Sequence, residues 1–283
     1  MGTQRPLCAV QLGRIALANA SAETTANRRS GATPLLLRDR VAIWLALAAV
    51  TALSWLYIYR QMGAMERMAD IAIPAAYAPW SAADFALNIA IWWAMMPGMM
   101  LPSAAPMILT FATINRRKRE RTQPFVPTIV FTSGYLIAWG AFGIFATLVD
   151  WGFEGVALIS PMTGRLIPIA GAVIVAAAGL YQLTPLKSVC LTHCRSPFDF
   201  VLNHWRDGPT GSLQMGLEHG LYCLGCCWFL MTLLFAAGIM SLLWMAVITV
   251  FVLVEKLFPG GEWIARSSGV AMLGFAIYLF CQA

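Results

Sequence analysis

A transmembrane helix needs about 20 mostly apolar residues to cross roughly 30 Å of hydrocarbon. This chain of 283 residues supplies seven such stretches, at 41–59, 85–113, 125–149, 166–183, 217–237, 239–257 and 268–281. The run 217–257 is twice the length of one crossing, and a tight turn near Gly238 divides it, because glycine relieves backbone strain there. Composition agrees: 59% of residues are hydrophobic and 11% charged, against roughly 45–50% and 25% in a globular domain. Too little polar surface remains to clothe a water-facing exterior. The expected fold is an all-α, polytopic transmembrane bundle of about seven spans, with one domain over 41–283 behind a basic, disordered tail at 1–40.

The net charge of +6 raises the question of nucleic acid, but the basic residues fall between apolar stretches, which is the pattern of membrane orientation. Connections on one side, beginning with the N-terminal arm, carry six, five, three and two Lys or Arg residues, sixteen in all. The other side carries three, Arg60, Arg67 and Arg165. Positive residues stay inside, so the N-terminus is expected in the cytoplasm, the C-terminus outside and the chain in the cytoplasmic membrane. The tail lacks the continuous apolar core of a secretory signal, so no cleavage is expected. Its basic residues suit anionic lipid.

Five of the seven cysteines and all three histidines lie between 190 and 227. At about 100° per residue along a helix, Met215, His219, Cys223, Cys226 and Cys227 fall in one stripe roughly 120° wide, with Trp228 opposite. Cys223, Cys226 and Cys227 are three and four residues apart, so their side chains can converge. His219 and Cys226 are about 10.5 Å apart along a straight helix, too far for one ion with bonds of about 2.0–2.3 Å. Two adjacent sites are therefore expected. Small buried cysteines also suit helix packing without any ligand, but His219 in lipid is costly unless it is paired or faces the bundle interior. Cys190, His193 and Cys194 converge only if their loop is helical. At a cytoplasmic edge thiols stay reduced, which favours a metal or redox role over a structural disulfide.

The second stretch adds Met95, Met96, Met99, Met100 and Met107, with Met95 and Met99 one turn apart. Thiolate and thioether ligands select Cu(I) over harder ions; the thiols and imidazoles also admit Zn(II). Pro97, Pro102 and Pro106 free nearby carbonyls, as in the broken helices that line transporter cavities. Met62, Met65 and Met68 read as the apolar face of an interfacial helix. His204 reads as a loop residue, Glu218 as a proton carrier or an aqueous-edge group, and Glu255 with Lys256 as a helix-end pair at the interface.

The block 95–107 with its three prolines, the run Gly179-Leu180-Tyr181-Gln182-Leu183-Thr184-Pro185-Leu186-Lys187 with Cys190, Cys194, Arg195 and Pro197, and the block from His219-Gly220 through Cys227-Trp228 to Met231 together resemble the bacterial family catalogued as predicted metal-binding integral membrane proteins. The likeness runs from about Val41 onward. It implies a membrane location and a metal site, without a substrate or reaction; His193 stands outside the matching pattern.

Three functions follow. The first is binding or handling of a soft transition metal, Cu(I) before Zn(II), by Cys223, Cys226, Cys227, His219, Cys190, Cys194, His193, Met95 and Met99, with the bilayer, the ion and a membrane or metallochaperone protein as partners. The second is thiol redox chemistry at the Cys223-x-x-Cys226 pair. The third is a non-catalytic accessory subunit, for which Gly216 and Gly220 form a small-xxx-small contact. No phosphate loop, HExxH, serine elbow or CxxCH occurs, and no nucleic-acid partner is expected.

Overall fold

The structure, a computed structural model, describes residues 37–69, 80–120, 126–159, 166–238 and 241–282, the side chains of 64–69 and 118–120 excepted. Most of the basic tail, at 1–36, lies outside these residues, as do the side chains of Met65 and Met68. The chain divides into units at 1–42 and 43–283; the first is described only at the start of a helix, and all that follows concerns the second.

The described residues form nine helices: α1 Leu37–Ala69, α2 Ala82–Glu120, α3 Thr128–Gly155, α4 Pro168–Gln182, α5 Pro185–Arg195, α6 Pro197–Asn203, α7 Gly208–Ala237, α8 Leu242–Leu257 and α9 Gly261–Gln282. Five of them (α1, α2, α3, α7 and α9) are long and apolar enough to cross a membrane, and the α4–α5 pair, bent by 67°, would make a sixth. Helix α8 has 16 residues, about 24 Å at 1.5 Å each.

Helix ends depart from the apolar runs because the helical backbone continues through polar residues that a hydropathy run excludes. Helix α7 begins at Gly208 and not near 217, behind Asp207 and with Pro209 in its first turn, where a missing N–H costs nothing. Helix α9 begins at Gly261, ahead of 268. The expected turn falls at Gly238, whose φ of 98° ends α7 in a region that side chains disfavour. The segment around Cys190 is helical: Thr184 accepts from Lys187 N at 3.3 Å and Pro185 opens α5.

The three prolines sit inside α2 without ending it. Pro102 cannot donate to the Gly98 carbonyl, and Trp55 Nε1 of α1 does so instead at 3.1 Å. Along its inward side α2 buries Trp92, Met95, Met96, Met99, Met100, Met107 and Phe111.

Helix α7 is central. It packs most extensively on α3, and also on α4, α5 and α8. Glycines permit the α3 contact. A Cβ at Gly216 would strike the Phe131 carbonyl, one at Gly134 the Leu213 carbonyl, and one at Gly220 would sit 2.6 Å from Ala138 Cβ. The backbones therefore touch, as small-residue contacts allow. Large apolar side chains such as Ile129, Leu148, Val173, Leu243, Trp263 and Ile277 point outward, compatible with helices long and apolar enough to cross a membrane.

Candidate metal site

Helix α7 presents its sulfurs to four neighbouring helices. Cys223, Cys226 and Cys227 are each 1% exposed. The thiols of Cys226 and Cys227 both donate to the Cys223 carbonyl, at 3.0 and 2.9 Å, a back-bond available to a residue three or four positions later in a helix. Their sulfurs then diverge. Cys226 Sγ lies 3.8 Å from Cys194 Sγ on α5, and Cys227 Sγ lies 3.9 Å from Met100 Sδ on α2. Cys223 Sγ meets the Tyr135 hydroxyl of α3 at 3.2 Å and accepts from Lys256 Nζ of α8 at 2.9 Å.

Lys256 and Glu255 correct the sequence expectation. They are not paired with each other. Both are buried and face different partners, because consecutive helical residues point about 100° apart. Glu255 pairs with the buried Lys187 of α5 at 2.5 Å, and Lys187 also donates to Gln182. Lys256 turns the other way, to Cys223 and to Ser103 Oγ at 3.3 Å. Arg195 fixes α5 against the end of α8, donating to the carbonyls of Phe258 and Pro259 at 2.5 and 2.8 Å.

His219 is 3% exposed and stacks on Tyr135 (5.6 Å, 24°) and Phe131. Its Nδ1 is buried without a hydrogen-bond partner, which costs free energy unless something else takes the lone pair or proton. Cys190 is half-buried over Gly225, where a Cβ would approach its sulfur to 2.8 Å. His193 is turned away from the sulfurs: it stacks flat on Tyr222 at 4.5 Å and its Nδ1 meets the Val189 carbonyl at 2.9 Å. His204 is more than a plain loop residue, with Nδ1 2.7 Å from Glu218 Oε1. Met95 and Met99 are buried, but the thioether that a thiol reaches is Met100.

The structure thus joins Cys194 to Cys226 and sets Cys227 against Met100, with Cys223 between Tyr135 and Lys256. It does not gather all the expected ligands: among the described residues no three or more His, Cys, Asp or Glu side chains are arranged to hold an ion. Sequence reasoning favoured Met95 and Met99 over Met100, passed over Tyr135 and Ser103, and read Lys256 as half of a helix-end pair instead of a partner of Cys223. Of these only Lys256 gave a signal, as an ionisable residue ending an apolar helix.

No curated protein and no solved structure matches the chain. One family profile does, over residues 89–279, and its description is a copper chaperone. That segment runs from within α2 into α9 and contains every residue named in this site. The expected kinship with a metal-related family is met at that level. The matched segment covers about two thirds of the sequence, and the chain belongs to the PpoB2 copper chaperone family.

Proposed function

We propose that the protein is an integral membrane protein that binds and hands on Cu(I) inside its helical bundle, through Cys223, Cys227 and Met100. The pair Cys194 and Cys226, with Cys190 beside it, forms the adjacent position, and His219 lies one turn along α7 on the other side. Met95 and Met99 continue the thioether column of α2. Seven crossings, with α4 and α8 each counted once, keep the N-terminus cytoplasmic and the C-terminus external.

One observation carries the reading: two sulfurs from different helices face each other at 3.9 Å, Cys227 Sγ and Met100 Sδ. With metal–sulfur bonds of about 2.3 Å, that separation corresponds to an angle of roughly 115° at a shared ion. Cu(I) is satisfied by few, soft ligands, whereas Zn(II) sites in proteins take about four. The facing thiol and thioether of Cys227 and Met100, both soft donors, support the former. The family's description supports copper as the cargo.

The test is elemental analysis of the full-length protein purified in detergent after exposure to Cu(I), wild type against the Cys223/Cys226/Cys227→Ser triple variant. Wild type should retain copper and the variant should lose most of it. Equal, near-zero copper in both would end the proposal. A thiol-redox reading finds support in the 3.8 Å approach of Cys194 to Cys226, not in the Cys223-x-x-Cys226 spacing; a mixed disulfide trapped at Cys226 in a Cys194→Ser background would favour it.

A further inference from the structure

Two lysine ammoniums are buried among the described residues, and their situations differ. Lys187 is neutralised by Glu255. Lys256 has no carboxylate: the described ion pairs are Lys187–Glu255, His204–Glu218 and Arg206–Glu218. Its contacts are the Cys223 sulfur at 2.9 Å and the Ser103 hydroxyl at 3.3 Å. An unpaired charge buried away from water is strongly unfavourable, so this position calls for one net negative charge nearby. Among the described residues that contact it, Cys223 supplies the group able to carry that charge.

We infer that Lys256 sets the charge of the ion that the site accepts, selecting a monovalent soft ion over a divalent one. This rests on Cys223, Cys227 and Met100 as the binding set. Coordinating thiols are deprotonated. Two thiolates and one monovalent ion carry a net charge of −1, which the ammonium cancels; Met100 adds none. A divalent ion on the same two thiolates is neutral and leaves the ammonium uncompensated in the core. To balance it, a divalent ion must recruit a third thiolate. The further thiols beside Cys223, those of Cys226 and Cys194, contact each other at 3.8 Å and would have to give up that contact to supply it. The carboxylate of Glu255 is on the neighbouring residue but is committed to Lys187. Lys256 is therefore a specificity-determining residue that acts through charge, without donating a lone pair to the metal.

The experiment compares association constants for Ag(I), a redox-inert monovalent probe, and Cd(II), a thiolate-seeking divalent one, on detergent-purified full-length protein. The variants are Lys256→Gln, Lys256→Leu and Lys256→Arg, each checked for folding by its thermal transition. The Ag(I)/Cd(II) ratio should fall at least about ten-fold in Lys256→Gln and Lys256→Leu, the scale on which groups around a metal site tune affinity, and stay near wild type in Lys256→Arg, which keeps the charge. A smaller fall in whichever neutral variant folds, or an Arg variant that behaves like the neutral ones, overturns the inference. Failure of the underlying reading looks different: wild type would bind neither probe, or the triple Cys→Ser variant would bind both as wild type does.

Discussion

Gly220→Ala tests whether the site depends on the backbone contact between α3 and α7. A Cβ at Gly220 would lie 2.6 Å from Ala138 Cβ, 3.2 Å from the Tyr135 carbonyl oxygen and 3.3 Å from Tyr135 Cα. Ordinary contact begins at 3.4 Å, so α3 must retreat by about 0.8 Å or more. No rotamer change can absorb this, since the opposing atoms are backbone and a Cβ. Overpacking costs about 1–3 kcal/mol, here near the upper end, while replacing a mid-helix glycine by alanine returns about 1 kcal/mol of helix propensity. The net expectation is a loss of about 1–2 kcal/mol. At roughly 2–4 °C per kcal/mol for a chain of this size, the thermal transition should fall by roughly 2–8 °C. The same retreat draws Tyr135 Oη from its 3.2 Å contact with Cys223 Sγ to about 4 Å, beyond a hydrogen bond. Thermal unfolding of detergent-solubilised protein, followed by tryptophan fluorescence, reads the first effect. Ag(I) affinity compared with that of Tyr135→Phe reads the second, and the two variants should be weakened alike. Gly152→Ala, where nothing lies within 4 Å of the added Cβ, should leave the transition unchanged or raise it. An unaltered or raised transition in Gly220→Ala would refute the packing argument.

Two further outcomes follow from the contacts. Met100→Leu keeps the volume but removes the thioether facing Cys227, and it should weaken Ag(I) binding at least about ten-fold, since even second-layer changes at metal sites cost 10–100-fold. Met95→Leu and Met99→Leu should change it several-fold less, and equal effects at the three positions would contradict the assignment of Met100. Glu255→Gln leaves the Lys187 ammonium buried without its anion and should cost about 3–5 kcal/mol, most of it recovered in Lys187→Met/Glu255→Leu; an unchanged thermal transition in the single variant would show that the pair does not matter for stability.

The segments that became helices were legible wherever hydropathy ran unbroken. The break at Gly238 was legible because a lone glycine between two apolar runs marks a φ that other residues disfavour. The central stripe of α7 was legible too: 100° per residue is a property of the helix itself, so Met215, His219, Cys223, Cys226 and Cys227 had to share one broad face, and all five are buried. Where helices began and ended was not, since Asp207 with Pro209 and Thr184 with Pro185 act through local geometry that a hydropathy run does not register.

What the sequence determined, then, was which residues lie on one helix face and how far apart they are along its axis, because both follow from local backbone geometry. Which helix each sulfur meets was decided only in three dimensions. Met100 reaches Cys227, while Met99 and Met95, one and five residues before it, lie about 100° and 140° away around the helix; which of them meets Cys227 depends on how α2 is rotated against α7. Lys256 reads in the chain as a polar helix end, yet α8 lies so that its ammonium points inward to Cys223 while the adjacent Glu255 turns to Lys187. Relative rotation and crossing of helices are set by side-chain packing summed over the whole interface, a nonlocal quantity that no short window of sequence carries.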